Sequence, residues 1–91
     1  MYEVILRSRR VQKELDDLPV KNREPVLRRL QALADNPRPA RCEKLEGDIY
    51  RIRVADHRVI YLVDDERRLV YVGAVRRRSE ATYRGLRDLF R

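Results

Sequence analysis

The stretch IYRIRVADHRVIY, residues 49–61, alternates apolar and charged side chains on both sides of a short polar turn, and no other feature constrains the fold as tightly. Alternation with a period of two makes each half a strand with one buried face. Tyr50, Ile52 and Val54 share one face of the first strand, and Ile49, Arg51 and Arg53 share the other. On the second strand Val59, Tyr61 and Val63 form the matching apolar set, which leaves Arg58, Ile60 and Leu62 on the arginine face. A loop of two residues (Ala55-Asp56) or of four (Val54 to His57) gives the same register, with Ile52 facing Val59, Tyr50 facing Tyr61 and Arg53 facing Arg58. A slip of one residue would turn the apolar set outward, so the core and the arginine cluster arise together. Like charges across strands repel, and a phosphate among the guanidinium groups would relieve them. The plainer reading is a solvated face whose arginines serve solubility or edge protection.

The rest of the chain supplies a cover for the apolar face. YEVIL, residues 2–6, reads as a first strand rich in β-formers. Ser8 is placed to cap a helix whose Val11, Leu15 and Leu18 recur at helical spacing, and Pro19 closes it. A second helix is expected from about Asn22, with Pro25 in its first turn and Val26, Leu30, Leu33 and Ala34 on one face, before Asp35-Asn36-Pro37 ends it. Residues 36–48, NPRPARCEKLEGD, hold two prolines and a glycine without periodicity and read as a connecting loop. Strands over about 49–54, 58–63 and 68–75 follow, and their short connections force antiparallel pairing. The end of the chain, RRRSEATYRGLRDLFR, reads as a basic run and then a short helix capped by Ser79, with Tyr83, Leu86 and Phe90 near one face. The expected fold is α+β: a small antiparallel sheet of about four strands packed on a helical hairpin, in the order β-α-α-β-β-β-α, with residues 1–91 as one domain.

With 91 residues, 41% of them charged, the core is modest. A single cysteine, Cys42, leaves no internal disulfide and no multi-cysteine metal site, so the fold rests on packing, and neither metal nor cofactor is expected. The apolar runs are too short for a membrane span, and the charges within MYEVILRSRR break up a signal peptide, which points to a cytoplasmic protein. The net charge of +7 favours a polyanionic partner, nucleic acid or acidic protein. The arginines, 19 against 3 lysines, suit bidentate phosphate recognition.

Several side chains gather near the hairpin on this reading. Arg76, Arg77 and Arg78 follow the last strand at the end where Arg58 begins its own, and Arg84 is within reach. Gly73 opposite Arg58 would leave room for a ligand. Tyr83 either packs with Leu86 and Phe90 or stacks on a base. His57, at the turn, is the side chain suited to acid-base work near neutrality. Ile60 and Leu62, with Leu69 and Tyr71 from the next strand, would form an apolar strip beside the arginines. Either a partner covers it or the C-terminal helix folds back over it.

Taken in order, KLEGDIYRIR, HRVIYLVDD and VRRRSEATY give the chain a resemblance over nearly its full length to the RelE toxins of bacterial and archaeal toxin-antitoxin pairs, within the RelE/ParE superfamily. The resemblance implies a ribosome-dependent endoribonuclease that cuts mRNA in the decoding site without metal, held in check by a small acidic antitoxin. In such cleavage the ribose 2′-hydroxyl attacks the adjacent phosphate, so a site must accept a proton, stabilise negative charge and protonate the departing 5′-oxygen. By that likeness Arg51, Arg53, Arg58, Arg77 and Tyr83 are the catalytic set, with Arg58 and Arg77 on the phosphate and Tyr83 on a nucleotide. Arg76, Arg78, Arg84 and His57 would bind substrate, and Ile60, Leu62, Leu69 and Tyr71 would bind the antitoxin. Arg51 and Arg53 stand where the family has lysines. Arginine does not release its proton, so the base would be His57, Glu46 or Tyr83, or catalysis would rest on charge stabilisation and positioning. The superfamily also allows a ParE-like poison of DNA gyrase without chemistry of its own, or an antitoxin-bound regulator that has lost activity.

Overall fold

The computed structural model describes residues 1–77 and 85–91. The elements run β1 (Glu3–Leu6), α1 (Arg9–Asp16), α2 (Val20–Ala32), β2 (Glu43–Glu46), β3 (Ile49–Val54), β4 (His57–Asp64), β5 (Leu69–Arg77) and a C-terminal 3₁₀ helix (Leu86–Phe90). Ser8 takes the extended N-cap position of α1, but its side chain makes no capping hydrogen bond. The second helix starts two residues earlier than expected, at Val20, with Pro19 as its N-cap. Pro25 therefore lies beyond the first turn. The carbonyl it leaves without an intrahelical donor is that of the exposed Lys21, which water can satisfy.

The sheet has five strands in the order β1-β5-β4-β3-β2 and is mixed, with β1 parallel to β5 and the other pairs antiparallel. This corrects the expectation of about four antiparallel strands in two respects. The segment EKLE, expected within a loop, is the edge strand β2; three of its four residues are exposed, so no alternation marks it. Where a C-terminal α-helix was expected, the described residues hold a one-turn 3₁₀ helix behind Gly85, which sits at φ 61° in the left-handed region. Ser79 lies outside the described residues.

The β3–β4 register matches expectation: Tyr50 faces Tyr61, Ile52 faces Val59 and Arg53 faces Arg58 around a two-residue turn. The side chains of Tyr50, Ile52, Val54, Val59, Tyr61 and Val63 join Val70, Val72 and Val75 in one core with Val11, Leu15, Leu18, Val26, Leu30 and Leu33 of the helices. At about 1.5–3 kcal/mol for each buried aliphatic side chain, this layer dominates the stability of the domain. Across the sheet, Ile49, Ile60 and Ala74 form a smaller cluster with Leu86 of the 3₁₀ helix, against which Leu62, Leu89 and Phe90 also pack.

Two hydrogen-bonded anchors tie the exit of α2 to the sheet. The fully buried Tyr61 hydroxyl donates to the Pro37 carbonyl at 2.7 Å. Next to it Arg38 donates through Nε to the Tyr50 hydroxyl at 2.9 Å and grips Asp65 through both Nη atoms, at 3.1 and 2.8 Å. The Tyr2 hydroxyl also donates to Asp65, at 2.5 Å, so β1, the loop after α2 and the β4–β5 turn meet on one carboxylate. These bonds hold the Asp65 carboxyl down at about pKa 2, with Arg38 as the main cause and Tyr2 the next.

Two predictions follow from these anchors. Tyr61→Phe leaves the Pro37 carbonyl without its buried donor and should lower unfolding free energy by about 1–2 kcal/mol in urea titration; an unchanged midpoint would remove that bond from the stability of the fold. For Asp65 the folded-state pKa lies below the unfolded value of about 3.9. Its contribution is therefore present above about pH 4 and lost as pH falls toward 2. The stability difference between wild type and Asp65→Asn should accordingly close over that range in acid unfolding, and a gap that persists at pH 2 would contradict the assignment.

Candidate functional site

The antiparallel register brings Arg53, Arg58 and Arg76 directly across three adjacent strands, on the face turned away from the helices. Arg51 lies on that face two residues along β3, opposite Ile60. Arg53 is exposed and Arg76 half-buried, whereas Arg58 and Arg51 retain only 7% and 9% exposure. Carboxylates flank this row on both sides. Glu43 of β2, directly opposite Arg51, accepts a hydrogen bond from it. On the other side Glu14 of α1 accepts from Arg76 Nε at 3.3 Å, from Arg10 Nη1 at 3.1 Å and from the Val75 amide at 3.0 Å. Neither Arg51 nor Arg58 is an unpartnered cation, and among the described residues no buried side-chain nitrogen or oxygen lacks a hydrogen-bond partner. The charges of Arg51 and Arg76 are thus already countered by carboxylates from within the fold.

Glu14 escaped sequence reasoning because its task is set by a strand far away in the chain. Pairing of β1 with β5 ends at Leu6 and Val72, and β5 runs on to Arg77 with its edge uncovered. Side chains of α1 complete that edge: Arg10 Nη2 donates to the Gly73 carbonyl at 2.7 Å, and Glu14 accepts from the Val75 amide. The same carboxylate orients Arg76.

Several expected site residues lie elsewhere. Arg76, not Arg77, faces Arg58, because β5 carries a bulge at Gly73: Tyr61 pairs with Val72 and Ile60 with Ala74. Arg77 pairs with His57 and takes the helix-side phase. Gly73 therefore does not face Arg58 and leaves no room for a ligand. A Cβ there would come within 2.6 Å of the Phe90 ring and 3.1 Å of Leu89 Cβ, so the glycine admits the 3₁₀ helix instead. His57 is 4% exposed and belongs to the helix face. Its Nδ1 lies 3.5 Å from Asn22 Nδ2, the donor of that pair, and it borders a cavity of about 510 Å³ together with Glu14, Asp17, Arg77 and Arg76, the member of the row that this cavity reaches at the β5 edge. It is on the far side of the sheet from Arg53 and Arg58. Glu46 is occupied by Arg87 at 3.4 Å.

The apolar strip is split. Ile60 is fully buried beneath the C-terminal 3₁₀ helix, so it offers no surface to a partner in this arrangement, while Leu62, Leu69 and Tyr71 are half-buried. Arg7 lies over the Tyr71 ring at 5.7 Å and donates through Nε to the Phe90 carbonyl at 2.9 Å, which pins the chain end to the sheet. Arg78, Tyr83 and Arg84 lie outside the described residues. Among the described residues no cluster of His, Cys, Asp and Glu has a metal-binding arrangement.

Comparisons with known proteins match both the fold and the sequence. Residues 5–82 match the family model described as the ParE toxin of the type II toxin-antitoxin system, parDE. RelE1 of Methanocaldococcus jannaschii is 32% identical over 78 residues, covering 80% of this chain and 87% of that protein. The archaeal RelE-RelB complex from Pyrococcus horikoshii OT3 contains a chain that superposes with a TM-score of 0.79 at 31% identity, over 88% of this chain and 98% of that one. A chain of the E. coli RelBE toxin-antitoxin complex gives 0.73 at 28% identity, over 85% and 96%. With the two helices and the five-stranded mixed sheet in common, the chain belongs to the RelE/ParE superfamily, as a RelE-type toxin of a type II toxin-antitoxin system.

Proposed function

We propose that this toxin is an endoribonuclease that cuts mRNA in the A site of the translating ribosome. The observation that carries this reading is the transverse row of Arg53, Arg58 and Arg76 on one sheet face, a set of like charges suited to a phosphodiester lying across three strands. The 2′-oxygen bonds to phosphorus, the bond to the 5′-oxygen breaks, and the products are a 2′,3′-cyclic phosphate and a 5′-hydroxyl. Negative charge builds on the non-bridging oxygens in the transition state, where guanidinium donors stabilise it most. Arginine keeps its proton throughout, and His57 and Glu46 are committed elsewhere. Proton transfer is left to solvent and to Tyr83, and the rate rests on charge stabilisation and positioning.

Glu14 holds Arg76 through Nε, which leaves its two Nη groups as the donors for a phosphate, and Arg51 acts at one remove because Glu43 already binds it. Two partners follow from this reading: the ribosome with its mRNA, in the cytoplasm, and a small acidic antitoxin such as the RelB with which the relatives were solved. Antitoxin carboxylates would neutralise the arginine row, and its apolar side chains would meet Leu62, Leu69 and Tyr71 beside the 3₁₀ helix.

The test is to add the protein to translating ribosomes programmed with a defined mRNA and map the cuts. Arg76→Ala should reduce single-turnover cleavage by about 10²–10³, the usual effect of losing one charge-stabilising donor, with Arg77→Ala far less affected; the opposite order would return Arg77 to the site. Intact mRNA together with trapped gyrase-DNA adducts would replace this reading altogether. His57→Gln should keep the cleavage rate, and a loss comparable to that of Arg76→Ala would make the histidine a participant.

A further inference from the structure

Beyond the row, at the open edge of β3, a second basic feature is built from residues distant in sequence. Strand β2 begins at Glu43, opposite Arg51, so the end of β3 from Ile52 to Val54 has no paired strand on that side. A groove of about 390 Å³ lies there, lined by Arg29 of α2, Arg41 of the loop before β2, Glu43 and Arg53. Among the described residues the side chains of Arg29, Arg41 and Arg53 make no hydrogen bond or ion pair with the protein, in contrast to Arg51 and Arg58. The one acidic group in the groove, Glu43, is taken by Arg51. Three uncompensated guanidinium groups converging on one concavity repel each other, and an anion with several acceptor oxygens relieves that repulsion.

We propose that Arg29, Arg41 and Arg53 form a groove for the backbone phosphates of single-stranded RNA, continuing the arginine row past the point of cleavage. This rests on the nuclease reading for its substrate and extends it, since Arg53 belongs to both row and groove. No apolar or aromatic residue lines the groove, so it has neither an anchor pocket for a protein side chain nor a platform for a base. Contacts confined to phosphates position a strand without reading its sequence. The groove therefore adds affinity and direction, not codon preference.

The test measures RNA binding apart from cleavage. A labelled single-stranded RNA with 2′-O-methyl groups, which cannot be cut, is titrated by fluorescence anisotropy over a range of salt with three full-length proteins. These are wild type, the groove variant R29Q/R41Q and the charge-matched variant K13Q/R67Q, whose changes lie on α1 and the β4–β5 turn. Loss of two phosphate contacts should lower the slope of log K against log salt by roughly 1.4, from about 0.7 per phosphate on a single strand, and weaken binding at low salt by at least about fivefold relative to K13Q/R67Q. Groove and control variants that bind alike would overturn the proposal. Equal weakening toward polyglutamate would also overturn it, by giving the groove to an acidic protein. Thermal unfolding verifies that both variants fold, as expected when R29Q/R41Q changes side chains without partners and K13Q/R67Q removes only the surface pairs of Lys13 with Asp17 and of Arg67 with Asp64. Cleavage on ribosomes is read separately: wild type that cuts nothing yet shows groove-dependent RNA binding removes the nuclease and keeps the groove, and cleavage with groove-independent binding does the reverse.

Discussion

The pairing of β3 with β4 is the constraint on which the rest of the molecule depends. Because side chains alternate, one choice of register sends Tyr50, Ile52, Val59 and Tyr61 toward the helices and Arg53 and Arg58 away from them. The two tyrosines stack with ring centroids 5.9 Å apart and then reach beyond the sheet, through their hydroxyls, to Pro37 and Arg38. The helical hairpin is thereby attached to the same pair of strands that display the arginines, and neither layer can move without disturbing the other.

What makes a row of arginines tolerable is that its counter-charges come from outside the hairpin. Glu43 arrives on an edge strand and Glu14 on a helix, and each binds the arginine nearest to it. Under the proposed function an incoming phosphate would enter a region whose side chains are already oriented and whose repulsion is partly cancelled, and it would compete with carboxylates at Arg51 and Arg76. That arrangement exchanges some ground-state affinity for a folded state that is stable without ligand.

Sequence alone disclosed what depends on local periodicity. The hairpin register, the core set and the buried faces of both helices follow from spacing, and they appear in the structure except for Ala34, which lies past the end of α2 and is half-buried. The parallel pairing of β1 with β5 joins residues more than sixty positions apart and leaves no local trace. Strand β2 was hidden because EKLE is an exposed, charged edge. The arginines were visible as a cluster, but their partners were not: Glu14 looked like any surface residue of an amphipathic helix, and Arg29 and Arg41 occur where no pattern distinguishes them.

The bulge at Gly73 works as a phase shift. Strict alternation from Val72 would carry Arg77 to the outer face and bury Arg76 toward the helices; one extra residue in β5 reverses every side chain after it while Tyr71 and Val72 keep their places. The strand is therefore two segments with independently adjustable parity, one serving the core and one serving the charged face. A run of consecutive arginines placed after such a joint is insensitive to which parity it receives. Gain or loss of the extra residue in a relative would exchange one guanidinium for its neighbour and leave the outer face charged.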